Sequence, residues 1–152
     1  MINLKKSDIL GHFDFHTSVE AIRSCYIAAS KKSVSLPPVG HIPFPLVNGD
    51  CHIKAGHIHE EPIFVIKIAT GFYDNPKIGK PSSNGMMVAF SALTGEPVAV
   101  LQDEGWLTDM RTGIGGALAT CALAKRSARN VLLLGAGIQC RMQANALAKL
   151  FE

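Results

Sequence analysis

The sequence predicts an α/β protein, and three observations carry that prediction. Short runs of alternating or continuous apolar residues fill the middle of the chain between residues 51 and 102, and helix-like segments lie on either side. Near the C-terminal end, Val131-Leu132-Leu133-Leu134 leads through Gly135-Ala136-Gly137 into a helix-like stretch from Gln139. That last arrangement reads as the strand, turn and helix that open a dinucleotide-binding unit. Glycines bring backbone N–H groups against a pyrophosphate, and the helix N-terminus points its partial positive charge at the same anion. The full fingerprint asks for a third small residue three positions after Gly137, where Cys140 stands, and for an acidic residue that would lie beyond Glu152. Gly-Ala-Gly after an apolar run also serves as an ordinary strand-to-helix turn, so the turn by itself leaves both readings open.

Composition sets the frame around these elements. With 152 residues, 47% hydrophobic and 18% charged, the chain is long enough for a good core and nothing in it reads as disordered. The formal charge of +3 is spread along the chain, which argues for an ordinary solvated surface and against a nucleic-acid footprint. No apolar stretch approaches the roughly 18 residues of a membrane span. Cys25, Cys51, Cys121 and Cys140 are widely spaced, without a C-x-x-C pair, and residues 1–10 lack a signal-peptide core. Four reduced thiols in a cytoplasmic protein are expected, with no metal site.

Along the chain, a short helix is expected near Ser7, followed by a clearer one. Thr17-Ser18-Val19-Glu20 reads as a capping box, Val19, Ile22, Tyr26 and Ile27 share a face, and the helix should end near Lys32. Pro37, Pro38, Pro43 and Pro45 argue against regular structure before the turn signal Asn48-Gly49-Asp50. Strands are expected over 51–58, 63–69, 86–93 and 97–102, the last two joined by a Thr94-Gly95-Glu96 hairpin loop. Thr108 is placed to cap a helix over 109–126, and residues 127–130 link it to the apolar run at 131–134.

Three places in this layout carry possible chemistry. Lys67 sits in Ile63-Phe64-Val65-Ile66-Lys67-Ile68-Ala69, apolar on both faces. Burying its ammonium costs several kcal/mol unless an anion meets it; the alternative is an edge strand whose lysine keeps its head in water. Residues 70–85 form a long polar loop, in which Ser82 and Ser83 either donate to a phosphate or a nicotinamide amide or simply make turns. Arg111 and Thr112 fall in the first turn of the expected 109–126 helix, where a guanidinium opposes the helix dipole and is better explained by a ligand carboxylate. Gly113, Gly115 and Gly116 follow, each costing up to ~1 kcal/mol relative to alanine. Either another backbone or a cofactor must therefore pack close to that face.

These residues together resemble the ornithine cyclodeaminase and mu-crystallin family. The resemblance runs through His52-Ile53-Lys54-Ala55-Gly56, then Val65-Ile66-Lys67 leading to Gly71-Phe72-Tyr73-Asp74-Asn75, then Pro81-Ser82-Ser83 with Gly85. It continues through Leu107-Thr108 with Arg111-Thr112 to Gly135-Ala136-Gly137-Ile138-Gln139, and order and spacing match throughout. It implies an NAD- or NADP-using homodimer with an N-terminal α/β domain, residues 1–126, that has a curved mixed sheet and supplies the substrate pocket and dimer interface. Residues 127–152 would begin a Rossmann domain as its first βα unit. The resemblance further implies that Lys67 and Arg111 hold an amino-acid carboxylate, while Ser82, Thr112, Gly135, Ala136, Gly137, Ile138 and Gln139 touch the cofactor. The reaction implied is hydride transfer at the Cα of a small amino acid or cyclic imino acid, with imine formation and ammonia loss in the cyclodeaminases. Relatives act as ketimine reductases or alanine dehydrogenases, and a crystallin-type module that binds without turnover is the alternative from another class.

Two departures accompany the resemblance. Many members place an arginine for the carboxylate where this chain reads Val39-Gly40-His41, which leaves Lys54 or His41 to take that role. The family's catalytic aspartate and ribose-binding acid belong to the second domain beyond its first βα unit, so the 152 residues by themselves are expected to be an inactive fragment.

Overall fold

The computed structural model describes residues 1–151, which fold as two compact units: residues 1–13 with 27–106, and residues 14–26 with 107 onward. The α/β class expected from the sequence holds. In the first unit, β1 (Ile2–Lys5), β2 (Val34–Ser35), β3 (Gly40–Phe44), β4 (Gly49–Ile58), β5 (Ile63–Phe72), β6 (Ser83–Ser91) and β7 (Pro97–Gln102) form one sheet. Its order is β1-β7-β6-β5-β4-β2, with β3 also paired to β4. The β1–β7 pair is parallel and the others are antiparallel, giving an open, curved mixed sheet. A bulge between Ala89 and Phe90 shifts the β6–β7 register and adds to the local twist. Helix α1 (Lys6–His12) follows β1, and Phe13 packs edge-on against Trp106 with ring centroids 4.9 Å apart.

All four expected strands are present, and three are longer than expected. Pairing of Thr70 with Asn84 and of Gly71 with Ser83 carries β5 and β6 past the limits that the apolar pattern marks. The long polar loop therefore shrinks to residues 73–82, with a 3-10 turn over Asn75–Ile78 ended by Gly79 at φ 72°. Gly95, at φ 76°, makes the expected hairpin between β6 and β7.

The proline-rich segment corrects the expectation of irregular chain. It holds β2 and β3, and Pro43 lies inside β3 opposite Asp50. An edge strand needs its donors on one side only, so a proline is tolerated there. Strand β1 is likewise additional to the expected layout, because four residues that include Asn3 and Lys5 carry too little pattern to mark a strand; its parallel pairing with β7 defines it.

The second unit takes its core from three helices: α2 (Phe15–Ser30), α3 (Trp106–Leu123) and α4 (Ile138–Leu150). Val19, Ile114, Ala117, Ala146 and Leu147 are buried together, with Phe15, Ile22, Met110, Leu118 and Leu150 around them. The start of α2 corrects the capping box. Asp14 Oδ1 accepts from the Thr17 backbone N–H at 2.7 Å, so Asp14 holds the position expected of Thr17. Hydrogen bonds from Thr17 hold the Asp14 carboxyl below its ordinary range.

Helix α3 begins three residues earlier than expected. Glu104 and Gly105 are both left-handed, at φ 55° and 81°, and turn the chain into the helix, so Thr108 lies inside it and caps nothing. The close contact expected at its glycines is present. A Cβ on Gly113 would lie 2.7–2.9 Å from Met142, one on Gly116 2.7 Å from the Gln143 side chain, and one on Gly115 2.5 Å from the Tyr26 hydroxyl. The neighbours of these glycines are α4 and α2.

The strand expected over residues 131–134 is not formed. Those residues have no ladder partner in the sheet, and Leu132 and Leu134 stay more than 80% exposed. A strand needs at least one neighbour to take up its N–H and C=O groups. Of the expected βα unit, the helix α4 is formed. No helix among the described residues is long and apolar enough to cross a membrane.

Candidate functional site

Strand alternation decides which side chains of β4 and β5 share a face. Asp50, His52 and Lys54 alternate along β4 and point to one side. Across the antiparallel pair, Lys54 lies opposite Lys67, His52 opposite Ala69, and Asp50 opposite Gly71. The next strand adds Met87, Gly85 and Ser83 opposite Lys67, Ala69 and Gly71, and β3 adds His41 opposite His52. The face therefore has a floor of small residues bordered by two lysines, two histidines and a carboxylate.

The small residues have packing reasons. A Cβ on Gly85 would lie 2.7 Å from the Ile68 carbonyl oxygen, and one on Gly71 would meet the Tyr73 hydroxyl and Asp50 Oδ1 at 3.0 and 3.1 Å. The Tyr73 hydroxyl donates to Asp50 Oδ2 at 3.2 Å. The Asp50 charge, and then this hydrogen bond, raise the Tyr73 hydroxyl above the ordinary phenol range. Lys77 pairs with Asp74 at 2.9 Å and, with Asn48, holds that carboxyl low, which fastens the turn after β5.

Lys67 is half-buried on β5, which has β4 on one side and β6 on the other. The edge-strand alternative for this lysine therefore fails. Lys54 is exposed and faces it directly, and like charges opposite each other destabilise an antiparallel pair. Ser82 lies just outside β6, and its carbonyl accepts from Phe72 N–H at 2.7 Å. Ser83, in register with Gly71, is the serine that joins the lysine face.

In the second unit, Arg111 is exposed and is the sixth residue of α3, past the first turn where the dipole argument places it. The Thr112 hydroxyl donates to the Thr108 carbonyl at 2.7 Å, which leaves its lone pairs for a further donor. Gly135 has φ 110°, and Gly137 is the N-cap of α4 and has no side chain with which to bond the first N–H groups of that helix. A Cβ on either glycine would meet nothing within 4 Å, so the approach to the helix end is open. Ala136 and Ile138 are exposed beside it. Gln139 Nε2 donates to Asp109 Oδ1 at 2.7 Å and ties the turn to α3, while Gln139 Oε1 is without a hydrogen bond. A helix N-terminus of this kind presents backbone N–H donors and a partial positive charge.

Asp50, His52 and Tyr73 are additions to the site residues expected from the sequence. The period-two spacing of Asp50, His52 and Lys54 is the signal that could have found two of them, since any strand that aims Lys54 at a ligand aims the other two beside it. A shallow groove of about 350 Å³ elsewhere on the first unit, lined by residues such as Ser35, Ala55 and Phe64, holds none of the expected site residues.

The sheet face on which Lys54 stands opposite Lys67 and the glycine turn opening α4 belong to an α/β protein with a curved mixed sheet. The chain belongs to the ornithine cyclodeaminase/mu-crystallin family, whose model matches residues 5–152. It is 44% identical over 119 residues to an uncharacterized cyclodeaminase of Sinorhizobium fredii (strain NBRC 101917 / NGR234), covering 78% of this chain and 36% of that protein. It is 40% identical over 131 residues to a Rhizobium meliloti (strain 1021) protein that bears a provisional dehydrogenase name, covering 86% and 40%. Among solved structures, the Δ1-pyrroline-2-carboxylate reductase of Thermococcus litoralis, in complex with NADH and L-proline, matches with a TM-score of 0.90 at 25% identity over 98% of this chain and 46% of that one. The chain spans less than half the length of these relatives.

Proposed function

We propose that the protein is an NAD(P)-dependent, ornithine cyclodeaminase-like enzyme that transfers a hydride at the Cα of a small amino acid or cyclic imino acid. The observation that carries the reading is Lys54 facing Lys67 above a floor of small residues, an arrangement suited to a carboxylate. The complex of the Thermococcus reductase with NADH and L-proline supports it. In this reading Lys67 and Arg111 bind the substrate carboxylate, and Lys54 supplements them where other members use an arginine. Ser82, Thr112 and the turn from Gly135 through Ala136, Gly137 and Ile138 to Gln139 bind the cofactor, which supplies the hydride acceptor or donor. Residues 1–126 serve the substrate and the dimer, and residues 127–152 begin the dinucleotide-binding domain. The four cysteines are free, in keeping with a cytoplasmic enzyme.

The test follows nicotinamide absorbance in the intact protein with proline, alanine, ornithine and a cyclic ketimine. Net absorbance change with proline or the ketimine marks a reductase, and proline formed from ornithine without net change marks a cyclodeaminase. Absence of both, with ligand still bound, marks a crystallin-type module. Arg111→Lys should raise KM for any amino-acid substrate by about tenfold or more, because the planar fork that grips a carboxylate is lost. Unchanged kinetics remove Arg111 from the site.

The protein is further proposed to be a homodimer through its sheet unit. Ile42, Phe44 and Ile53, at 45%, 38% and 37% exposure, stand on the face opposite the lysines. An open sheet with such residues uncovered is an aggregation hazard unless a second copy closes it. Light scattering of the intact protein should give twice the chain mass, and a stable monomer at micromolar concentration refutes the assignment.

A further inference from the structure

The lysine face carries a second group of side chains that carboxylate binding does not use. Strand register sets His41 opposite His52, and the two imidazoles stack with ring centroids 4.7 Å apart and planes inclined by 23°. Asp50 is two residues before His52 on the same face, with its Oδ1 3.6 Å from His52 Nδ1. One ligand atom from each of the three residues lies within 4.8 Å of the other two.

We propose that His41, Asp50 and His52 form a binding site for a divalent transition-metal ion of the zinc class. Two imidazoles and one carboxylate are a ligand set of open zinc sites, with a fourth position left for water or a ligand oxygen. Ligand atoms around zinc stand roughly 3.3 Å apart when each is about 2.0–2.1 Å from the metal. The present separations are all within 4.8 Å, with Asp50 Oδ1 and His52 Nδ1 already 3.6 Å apart. Nitrogen ligands select zinc, cobalt or nickel over calcium and magnesium, which take oxygen.

The surroundings of the carboxylate support the site. The Tyr73 hydroxyl holds Asp50 Oδ2 at 3.2 Å, which leaves Oδ1 for the histidine side and is the outer hydrogen bond expected of a carboxylate that ligates a metal. Gly71 makes this possible, since a Cβ there would lie 3.1 Å from Asp50 Oδ1. Lys54 is the next residue on the same face, so the ion sits beside an ammonium and its affinity should be micromolar rather than nanomolar. The inference stands apart from the proposed reaction, since it needs neither cofactor nor turnover.

The test is calorimetric titration of chelator-treated intact protein with Zn²⁺, and with Co²⁺ followed by visible absorption. The expected result is one site per chain with micromolar affinity and a Co²⁺ spectrum free of thiolate charge transfer. It should be lost in H41A/H52A and retained in H57A/H59A, which removes the other histidine pair of β4 and its turn. Tyr73→Phe should weaken it by about 10-fold or more, the usual cost of removing an outer hydrogen bond. Circular dichroism confirms that each variant is folded, and D50N stands in for H41A/H52A if that one is not. Binding no tighter than millimolar, thiolate charge transfer in the Co²⁺ spectrum, or loss of binding in H57A/H59A with retention in H41A/H52A overturns the proposal.

Discussion

Gly113→Ala should cost the helical unit about 1–3 kcal/mol or more, the range for forcing extra volume into a packed interior. The added methyl would sit 2.7 Å from Met142 Cβ, 2.8 Å from its carbonyl carbon and 2.9 Å from its carbonyl oxygen. Two of those three atoms are backbone, so no rotamer change relieves the clash and α3 and α4 must move apart. Ile114 and Ala117 on α3, and Ala146 and Leu147 on α4, would lose part of their packing as they separate. Gly116→Ala provides the contrast, because its obstacle is the flexible Gln143 side chain, which can swing aside. Denaturant unfolding followed by circular dichroism reads both variants. A Gly113→Ala protein as stable as the parent, or one less affected than Gly116→Ala, shows that the helices are not held at this distance.

These glycines show what the sequence makes legible. Three glycines inside a helix have no local justification, and the cost of each is by itself enough to imply a close neighbour. Which neighbour it is depends on distant residues, Met142 and Gln143 on α4 and Tyr26 on α2, and has no local signal. The same limit explains the other differences. Strand β3 is hidden by Pro43, since an edge position is a property of the assembled sheet and not of five residues. The cap of α2 lies three residues before its expected place because Asp14 and Thr17 are both good caps, and the hydrophobic stripe that follows fits either start. The apolar run at 131–134 has the composition of a buried strand, yet composition supplies no partner strand. In the candidate site, Lys67 stands out as a charge in an apolar run. Asp50 and His52 lie in polar surroundings, where period-two spacing puts them on one face with Lys54 and the register with β5 shows that Lys67 shares it.

Lys67→Met should lower kcat/KM for an amino- or imino-acid substrate by roughly 30-fold to several thousandfold. That range corresponds to about 2–5 kcal/mol for deleting one partner of a buried, hydrogen-bonded charge pair. The loss should fall on binding of the carboxylate, so a carboxylate inhibitor should weaken in parallel while the corresponding amide binds as before. Lys54→Met separates this role from a structural one. Lys54 faces Lys67 across β4 and β5 and is exposed, so its removal should change stability by no more than about 1 kcal/mol while weakening substrate binding less than the loss of half-buried Lys67 does. Affinity that falls while stability holds is the mark of a charge placed for a ligand. If Lys54→Met destabilises the protein and leaves inhibitor affinity unchanged, the lysines serve the fold, and the carboxylate site must be sought elsewhere.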